Sequence, residues 1–186
     1  MADVNELPAD LPVPQDDGGA DHLRGRRLPS LALPSTHGGT VDLSTLTGRT
    51  VLYIYPATGV PGQGLPSDDW DAIPGARGCT PQSCAFRDHH AELKALGASV
   101  LGLSRQTSAV QAEAAARLHL PFALLSDAEG HFTEALSLPV FETGGRVFLK
   151  RMTLMLRNGA IEHALYPVFP PDRSADDAMA WLRAHP

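Results

Sequence analysis

The chain has 186 residues, of which 43% are hydrophobic and 19% are charged, and its formal net charge is −6 at pH 7. These totals suit one globular domain with a sizeable core. Nucleic acids and anionic membranes bind clustered Lys and Arg side chains, and the sequence has no such cluster, so neither partner is expected. No stretch has the length of a membrane-spanning apolar run, and the N-terminus lacks the features of a signal peptide. We therefore expect a cytoplasmic protein.

The first 27 residues are acidic and rich in proline. They include Pro8, Pro12, Pro14 and the run Asp16-Asp17-Gly18-Gly19, and they offer few apolar side chains to bury. We predict a flexible tail over residues 1–27 and one folded domain over residues 28–186.

The folded domain opens with predicted strands. Residues 31–33 and 40–43 indicate a β-hairpin, and the β-branched and aromatic run TVLYIY at 50–55 is typical of a strand buried on both faces. A Gly/Pro-rich loop follows at 56–76. It is longer than most connections, and long loops within compact domains often carry function.

A helix is predicted after this loop, with Thr80 as its N-cap, Pro81 at its first position and Gly97 beyond its end. The remaining predicted strands are 99–103, 122–125, 147–157 and 160–165, and the remaining predicted helices are 108–118, 131–136 and 174–184. The second helix opens with a Ser108/Gln111 capping box. Asn158-Gly159 is a strong hairpin turn signal. This order predicts an α/β protein whose helices cover a mixed sheet, and the thioredoxin-like fold with an N-terminal β-hairpin fits it.

Cys79 and Cys84 are the two cysteines of the chain, and they are five positions apart. The pattern puts Cys79 at a helix N-terminus, directly after a buried strand and its loop. Free backbone N–H groups and the helix dipole favour an anion there, and therefore favour a thiolate over a thiol. From the pair alone, buried structural cysteines and half of a metal site remain alternatives.

The spacing also constrains any disulfide between these cysteines. Five residues of helix give ~500° of rotation and ~7.5 Å of rise, so the two Cα atoms would lie ~8–9 Å apart on different faces. A disulfide needs Cα atoms within ~7 Å. If the pair forms a disulfide, the first turns of the helix must unwind.

The residues around the cysteines resemble those of a known family. YIYP at 53–56 and GCTPQSCAFRD at 78–88 are similar to the peroxiredoxins, and within them to the bacterioferritin-comigratory-protein, or plant Q-type, subgroup. The resemblance implies that Cys79 attacks a peroxide and that Cys84 then resolves the sulfenic acid as an intramolecular disulfide. It implies a dithiol reductant such as thioredoxin, no metal or other cofactor, and a monomer.

A second match lies in KRMTLML at 150–156, where Arg151 precedes Thr153 as an arginine does in this family. The resemblance implies that the guanidinium holds the Cys79 thiolate and stabilises charge on the peroxide oxygens. The family also has a hydroxyl residue three positions before the reactive cysteine, and here that residue is Ala76. Thr58 is our predicted substitute, and the loop 59–75 is predicted to border the site.

Two other functions use the same cysteine pair. A thioredoxin-like disulfide oxidoreductase is one, although those proteins usually carry two residues between the cysteines. A copper or zinc carrier that uses both cysteines and a histidine is the other.

Overall fold

A five-stranded mixed sheet forms the centre of the protein in the computed structural model, which describes residue 7 and residues 10–186. The described residues contain the strands β1 (Ala32–Pro34), β2 (Thr40–Asp42), β3 (Arg49–Ile54), β4 (Ala98–Ser104), β5 (Leu124–Ser126), β6 (Val140–Thr143), β7 (Arg146–Leu149), β8 (Met152–Arg157) and β9 (Ala160–Leu165). The order in the central sheet is β5-β4-β3-β8-β9. β3 is parallel to β4 and antiparallel to β8. The remaining strands form two hairpins, β1-β2 and β6-β7.

Five α-helices accompany the sheet within the described residues. They are α1 (Cys79–Asp88), α2 (His90–Ala95), α3 (Ser108–Arg117), α4 (His131–Leu136) and α5 (Ser174–Ala184). None of the helices in this part of the chain is long and apolar enough to cross a membrane.

Alternate side chains of β3 enter two separate cores, as the two-residue period of a strand requires. Leu52 and Ile54 pack on one face of the sheet with α4 residues such as Phe132. Val51, Tyr53 and Tyr55 pack on the other face, together with residues of α1 and α5. The continuous apolar run of β3 therefore occupies the middle of the sheet, with α1 held against one of its faces.

The helix predicted as one segment is two, because it breaks at His89. The first of these helices also begins earlier than predicted, at Cys79. Its N-cap is Gly78, with φ 102°, so the prediction of Thr80 as the cap is wrong. Only glycine fits this position, since a Cβ there would lie 2.5 Å from Pro171 Cγ. The predicted capping box at Ser108 is also wrong, because the buried Gln111 amide instead donates to Ser104 Oγ and to the Leu125 carbonyl.

The late strand predicted over 147–157 is divided at Lys150–Arg151 into β7 and β8. The hairpin β6-β7 that results was not predicted, although Gly144-Gly145 at its turn, both with positive φ, is a turn signal. The predicted hairpin β8-β9 through Asn158-Gly159 is present.

Side-chain packing extends N-terminal to the predicted domain boundary at residue 28. Leu23 is fully buried and Ala20 is buried, both in the core that α4 covers. Asp17 accepts hydrogen bonds from Lys150 Nζ at 2.6 Å and from the Tyr166 hydroxyl at 2.7 Å. An apolar anchor and an ion pair thus fasten the later part of the predicted tail to the domain. Residues 1–6, 8 and 9 of that tail lie outside the described residues.

Candidate active site around Cys79

Cys79 is the first residue of α1, immediately after the long loop that follows β3. Its side chain is buried, with a relative exposure of 3%. The free backbone N–H groups of the first turn of α1 point toward this end of the helix, where they favour a negative charge. The position therefore suits a thiolate.

Arg151 is the cation next to this sulfur, and its Nη2 donates to Cys79 Sγ at 3.1 Å. The same nitrogen contacts the carbonyl oxygens of Ala76 at 3.2 Å and Arg77 at 3.0 Å. These carbonyls fix the guanidinium against the chain segment that leads into α1. Arg151 is itself buried, so its charge is close to Cys79 with little water to screen it.

Gln82 is a site residue that the sequence reasoning missed. It is fully buried, and its Oε1 accepts from Arg151 Nη1. Its Nε2 donates to Ser174 Oγ at 3.1 Å, and that hydroxyl lies 3.0 Å from Thr153 Oγ1. Gln82 follows Cys79 by one helical turn, so the i, i+3 spacing was the available signal. The chain of contacts from Thr153 to Arg151 ties the guanidinium to α1, α5 and β8.

Cys84 lies farther along the same intact helix, and both cysteines are free thiols. The Cys84 side chain is half-buried beside the α1 core, and this burial raises the pKa of its thiol. The opposing effect of the nearby Arg87 is smaller. In this state Cys84 is protonated and separated from Cys79 by helical geometry.

Tyr53 lies near the end of β3, and Tyr55 directly follows this strand. Both side chains are fully buried, and burial is the main cause that raises the pKa of each phenol above its ordinary value. Tyr53 donates to Ser83 Oγ at 3.1 Å and stacks on Phe86 at 4.6 Å between ring centroids. These neutral rings form an apolar wall behind α1.

Thr58, the predicted hydroxyl residue, and Thr80, which follows Cys79, are placed differently. The Thr58 hydroxyl donates to Gln106 Oε1 at 3.0 Å, and the Thr58 backbone N–H donates to the same oxygen at 2.9 Å. Thr80 lines the small cavity that contains Cys79. Thr58 is therefore engaged with Gln106, and its predicted role as the missing hydroxyl stays a prediction.

Residues 57–76, which we call the lid, fold over this cavity. Leu65, Pro66 and Trp70 of the lid line the cavity together with Cys79 and Thr80, and its volume is about 20 Å³. Trp70 is also buried in a small core of its own with Ala57, Ala76 and Phe148. The loop that the sequence predicted at the border of the site thus forms the roof of the Cys79 cavity.

Comparison with known proteins identifies the family of the chain. The redoxin family model matches residues 23–179. The chain belongs to the redoxin family. Chloroplastic peroxiredoxin Q of Arabidopsis thaliana is 29% identical to this redoxin over 162 residues, which cover 87% of this chain and 67% of that protein. Chloroplastic peroxiredoxin Q of Sedum lineare is 28% identical and is covered over 78% of its length.

Solved structures agree with these sequence matches. The crystal structure of peroxidoxin BcpB from Mycobacterium tuberculosis superposes on this redoxin with a TM-score of 0.70 at 28% identity, and the match covers 88% of this chain and 98% of that one. The predicted peroxiredoxin resemblance, the thioredoxin-like fold with its N-terminal hairpin and the peroxidase class of enzyme are confirmed. The family acts on peroxides and uses thioredoxin-type reductants.

A metal carrier is one of the alternative functions of the cysteine pair, and it requires further ligands close to the cysteines. Among residue 7 and residues 10–186, no group of three or more His, Cys, Asp or Glu side chains is arranged to hold a metal ion.

Proposed function

We propose that Cys79 reduces hydrogen peroxide or organic hydroperoxides and that Cys84 resolves the product. The observation that carries this proposal is the contact of 3.1 Å between Arg151 Nη2 and Cys79 Sγ at the start of α1. A buried guanidinium and a helix N-terminus both favour the thiolate, which is the nucleophilic form of cysteine.

In the first step the Cys79 thiolate attacks one peroxide oxygen. The S–O bond forms while the O–O bond breaks, and the second oxygen leaves as hydroxide or alkoxide and takes up a proton. The sulfur is oxidised to sulfenic acid and the peroxide is reduced to water or an alcohol. Arg151 faces the sulfur, so its N–H groups stabilise the charge that moves onto the oxygens.

In the second step Cys84 attacks the sulfenic sulfur, forms the disulfide and releases water. The two sulfurs cannot meet on an intact α1. Unwinding its first turns also breaks the hydrogen bonds that Gln82 makes to Arg151 and Ser174. Formation of the disulfide therefore requires the first turns of α1 to unwind and these contacts of Gln82 to break. Reduction of the disulfide by an external dithiol lets the helix and the contacts form again.

This cycle is complete within one chain, which therefore acts as a monomer in our proposal. It also needs a compartment that keeps thiols reduced, such as the cytoplasm. Thioredoxin or a similar dithiol protein is the proposed reductant.

The test is to mix the fully reduced protein with one equivalent of hydrogen peroxide, label the remaining thiols and measure the mass. We expect the peroxide to be consumed, both thiols to be lost and the mass to fall by two hydrogens. Cys79→Ser should lower peroxide reduction by about three orders of magnitude or more, because serine is neither ionised nor a soft nucleophile. Unchanged thiols after minutes, or activity of Cys79→Ser within about tenfold of the wild type, would contradict the proposal.

A further inference from the structure

The cavity above Cys79 is very small for a peroxidase site. Its volume of about 20 Å³ is little more than the ~10–15 Å³ that one water molecule requires. A second cavity, of about 290 Å³ and mostly apolar, lies beside Arg151, but Cys79 is not among the residues that line it. The space that an organic tail would need is therefore not open to the sulfur.

Trp70 has the largest side chain among the residues that line this cavity. It is 2% exposed, and its indole lines the Cys79 cavity from the side of the lid. The ring packs edge-on against Phe148 at 4.9 Å and tilted against Phe141 at 5.8 Å between centroids. Both phenylalanines belong to the hairpin β6-β7, so Trp70 is held from outside the lid as well as within it.

Polar contacts hold the rest of the lid in the same place. Arg146 Nη2 donates to the Pro66 carbonyl at 2.8 Å, and Thr143 Oγ1 donates to Asp69 Oδ1 at 2.7 Å. Arg117 Nη2, on α3, donates to the Gly59 carbonyl at 2.9 Å. The lid is thus fastened at its start and at its middle, although it contains little regular structure.

We propose that Trp70 is a specificity-determining residue that limits Cys79 to peroxides of about the size of hydrogen peroxide. This inference rests on the proposed function of Cys79. A two-oxygen substrate needs only a small displacement of the cavity wall, whereas a bulky organic group on one oxygen overlaps the indole. Fixed by Phe141 and Phe148, the indole cannot swing aside without opening the small core that it fills.

The test measures the rate constant of sulfenic acid formation in single turnovers with hydrogen peroxide, tert-butyl hydroperoxide and cumene hydroperoxide. Rapid quenching followed by mass measurement gives the rate without relying on tryptophan fluorescence. For the wild type we expect hydrogen peroxide to react faster than cumene hydroperoxide by about a hundredfold or more, a steric discrimination of ordinary size for a packed pocket. In Trp70→Ala the cumene rate should rise about tenfold or more, and the hydrogen peroxide rate should stay within about threefold.

Trp181→Ala is the matched control, because Trp181 stacks on His163 and His185 at the edge of α5. It should leave the ratio between the two substrates unchanged. Trp70→Leu keeps the lid core apolar and should shift the ratio in the same direction if Trp70→Ala does not fold. The ratio of the hydrogen peroxide rate to the cumene hydroperoxide rate in the wild type tests the inference even if no Trp70 variant folds.

The outcomes separate this inference from the function on which it rests. If no peroxide oxidises Cys79, the proposed function fails and the inference fails with it. If wild-type Cys79 reacts with cumene hydroperoxide as fast as with hydrogen peroxide, or if a folded Trp70 variant keeps the wild-type ratio, the peroxidase stands and the role of Trp70 is overturned.

Discussion

The site consists of two regions that are built in different ways. The frame is the set of regular elements β3, α1 and β8, which carry Tyr53, Cys79 and Thr153 and are linked to Arg151 through Gln82. The lid, residues 57–76, contains only one short helical turn, Trp70–Ala72. Backbone ladders and two large cores hold the frame, whereas side chains of β6-β7 and α3 hold the lid.

This difference assigns the two regions different tasks. The frame places a thiol, a helix N-terminus and a guanidinium together, and those groups act on the O–O bond that every peroxide shares. The lid lines the space that the organic group of a hydroperoxide would occupy, and peroxides differ in that group. We therefore expect changes in the frame to slow all peroxides alike and changes in the lid to alter the ratio between small and bulky ones.

Among changes that leave Cys79 in place, the largest effect should come from removing the charge of Arg151. Arg151→Met should slow sulfenic acid formation by about 10²–10³-fold, since one charge-assisted donor is worth ~2–4 kcal/mol in a transition state. The loss should be the same for hydrogen peroxide and for organic hydroperoxides. The measurement is the single-turnover rate by rapid quenching.

Arg157→Met is the matched control for this charge. Arg157 ends the same strand, β8, but is exposed and contacts Glu162 at 3.5 Å. Its removal should leave the rate unchanged. A normal rate of sulfenic acid formation in Arg151→Met would remove Arg151 from the chemistry.

The second effect tests whether α1 must come apart. Cys84→Ser should reduce one equivalent of peroxide at the normal rate and then stop as sulfenic acid, which oxidises further with excess peroxide. Thioredoxin-driven turnover should fall by about tenfold or more, with the remainder due to direct attack of an external thiol. Undiminished turnover would make Cys84 a bystander.

The same step has a structural signature in the wild type. Amide hydrogens between Thr80 and Phe86 should exchange faster in the disulfide form than in the dithiol form, because the bond cannot form on an intact helix. Amides of α3 serve as the internal control. Equal protection of α1 in both forms would contradict the unwinding.

The third effect compares a core substitution beneath the lid with an equal substitution in the core that α4 covers. Phe148→Leu loosens the packing of Trp70 and should raise the ratio of the cumene to the hydrogen peroxide rate by about threefold to tenfold. Phe132→Leu makes the same change in the core that α4 covers, where Phe132 is fully buried. Both variants should lower stability by ~1–3 kcal/mol, measured by denaturant unfolding, but only Phe148→Leu should alter the ratio. A shift of the same size in Phe132→Leu would mean that general loosening, and not the lid, controls selectivity.

The frame was largely predictable from the sequence because its elements carry periodic signals. The run TVLYIY predicted the buried strand β3, and Asn158-Gly159 predicted the hairpin β8-β9. The start of α1 was placed two residues late, at Pro81 rather than Cys79, because the role of Gly78 as the N-cap depends on its contact with Pro171, which is remote in sequence.

The lid and its support were less predictable for a physical reason. Nothing in the local sequence of residues 57–76 records that Trp70 packs on Phe148, since that contact joins segments far apart in the chain. The hairpin β6-β7 was hidden because residues 147–157 are mostly apolar, as one long buried strand would be, and the interruption at Lys150–Arg151 is where Arg151 makes its tertiary contacts. Gln82 was missed because its partners, Arg151 and Ser174, are also far from it in the sequence.

A smaller effect concerns the protonation of Cys84 within the frame. Burial raises the pKa of its thiol above the ordinary 9.0. In Cys79→Ser, the alkylation rate of Cys84 should therefore increase with pH, and the midpoint of this increase should lie above 9.0. In denaturant the midpoint should move back to the ordinary value of the thiol. Because the folded pKa is the higher one, the thiol contributes stability that is present below the ordinary pKa and is lost as pH rises through the folded pKa. A midpoint at or below 9.0 in the folded protein would show that Cys84 is not shielded.

The last comparison decides which hydroxyl, if either, replaces the one that Ala76 lacks. Thr80→Val should slow sulfenic acid formation by about tenfold, the loss of one hydrogen bond, because Thr80 lines the cavity above Cys79. Thr58→Val is the matched variant, and it should cost less than about threefold, since its hydroxyl donates to Gln106. Both threonines are buried, so equal unfolding midpoints are needed before the rates are compared. A larger loss in Thr58→Val would restore the assignment made from the sequence and would require Thr58 to leave Gln106 when peroxide binds.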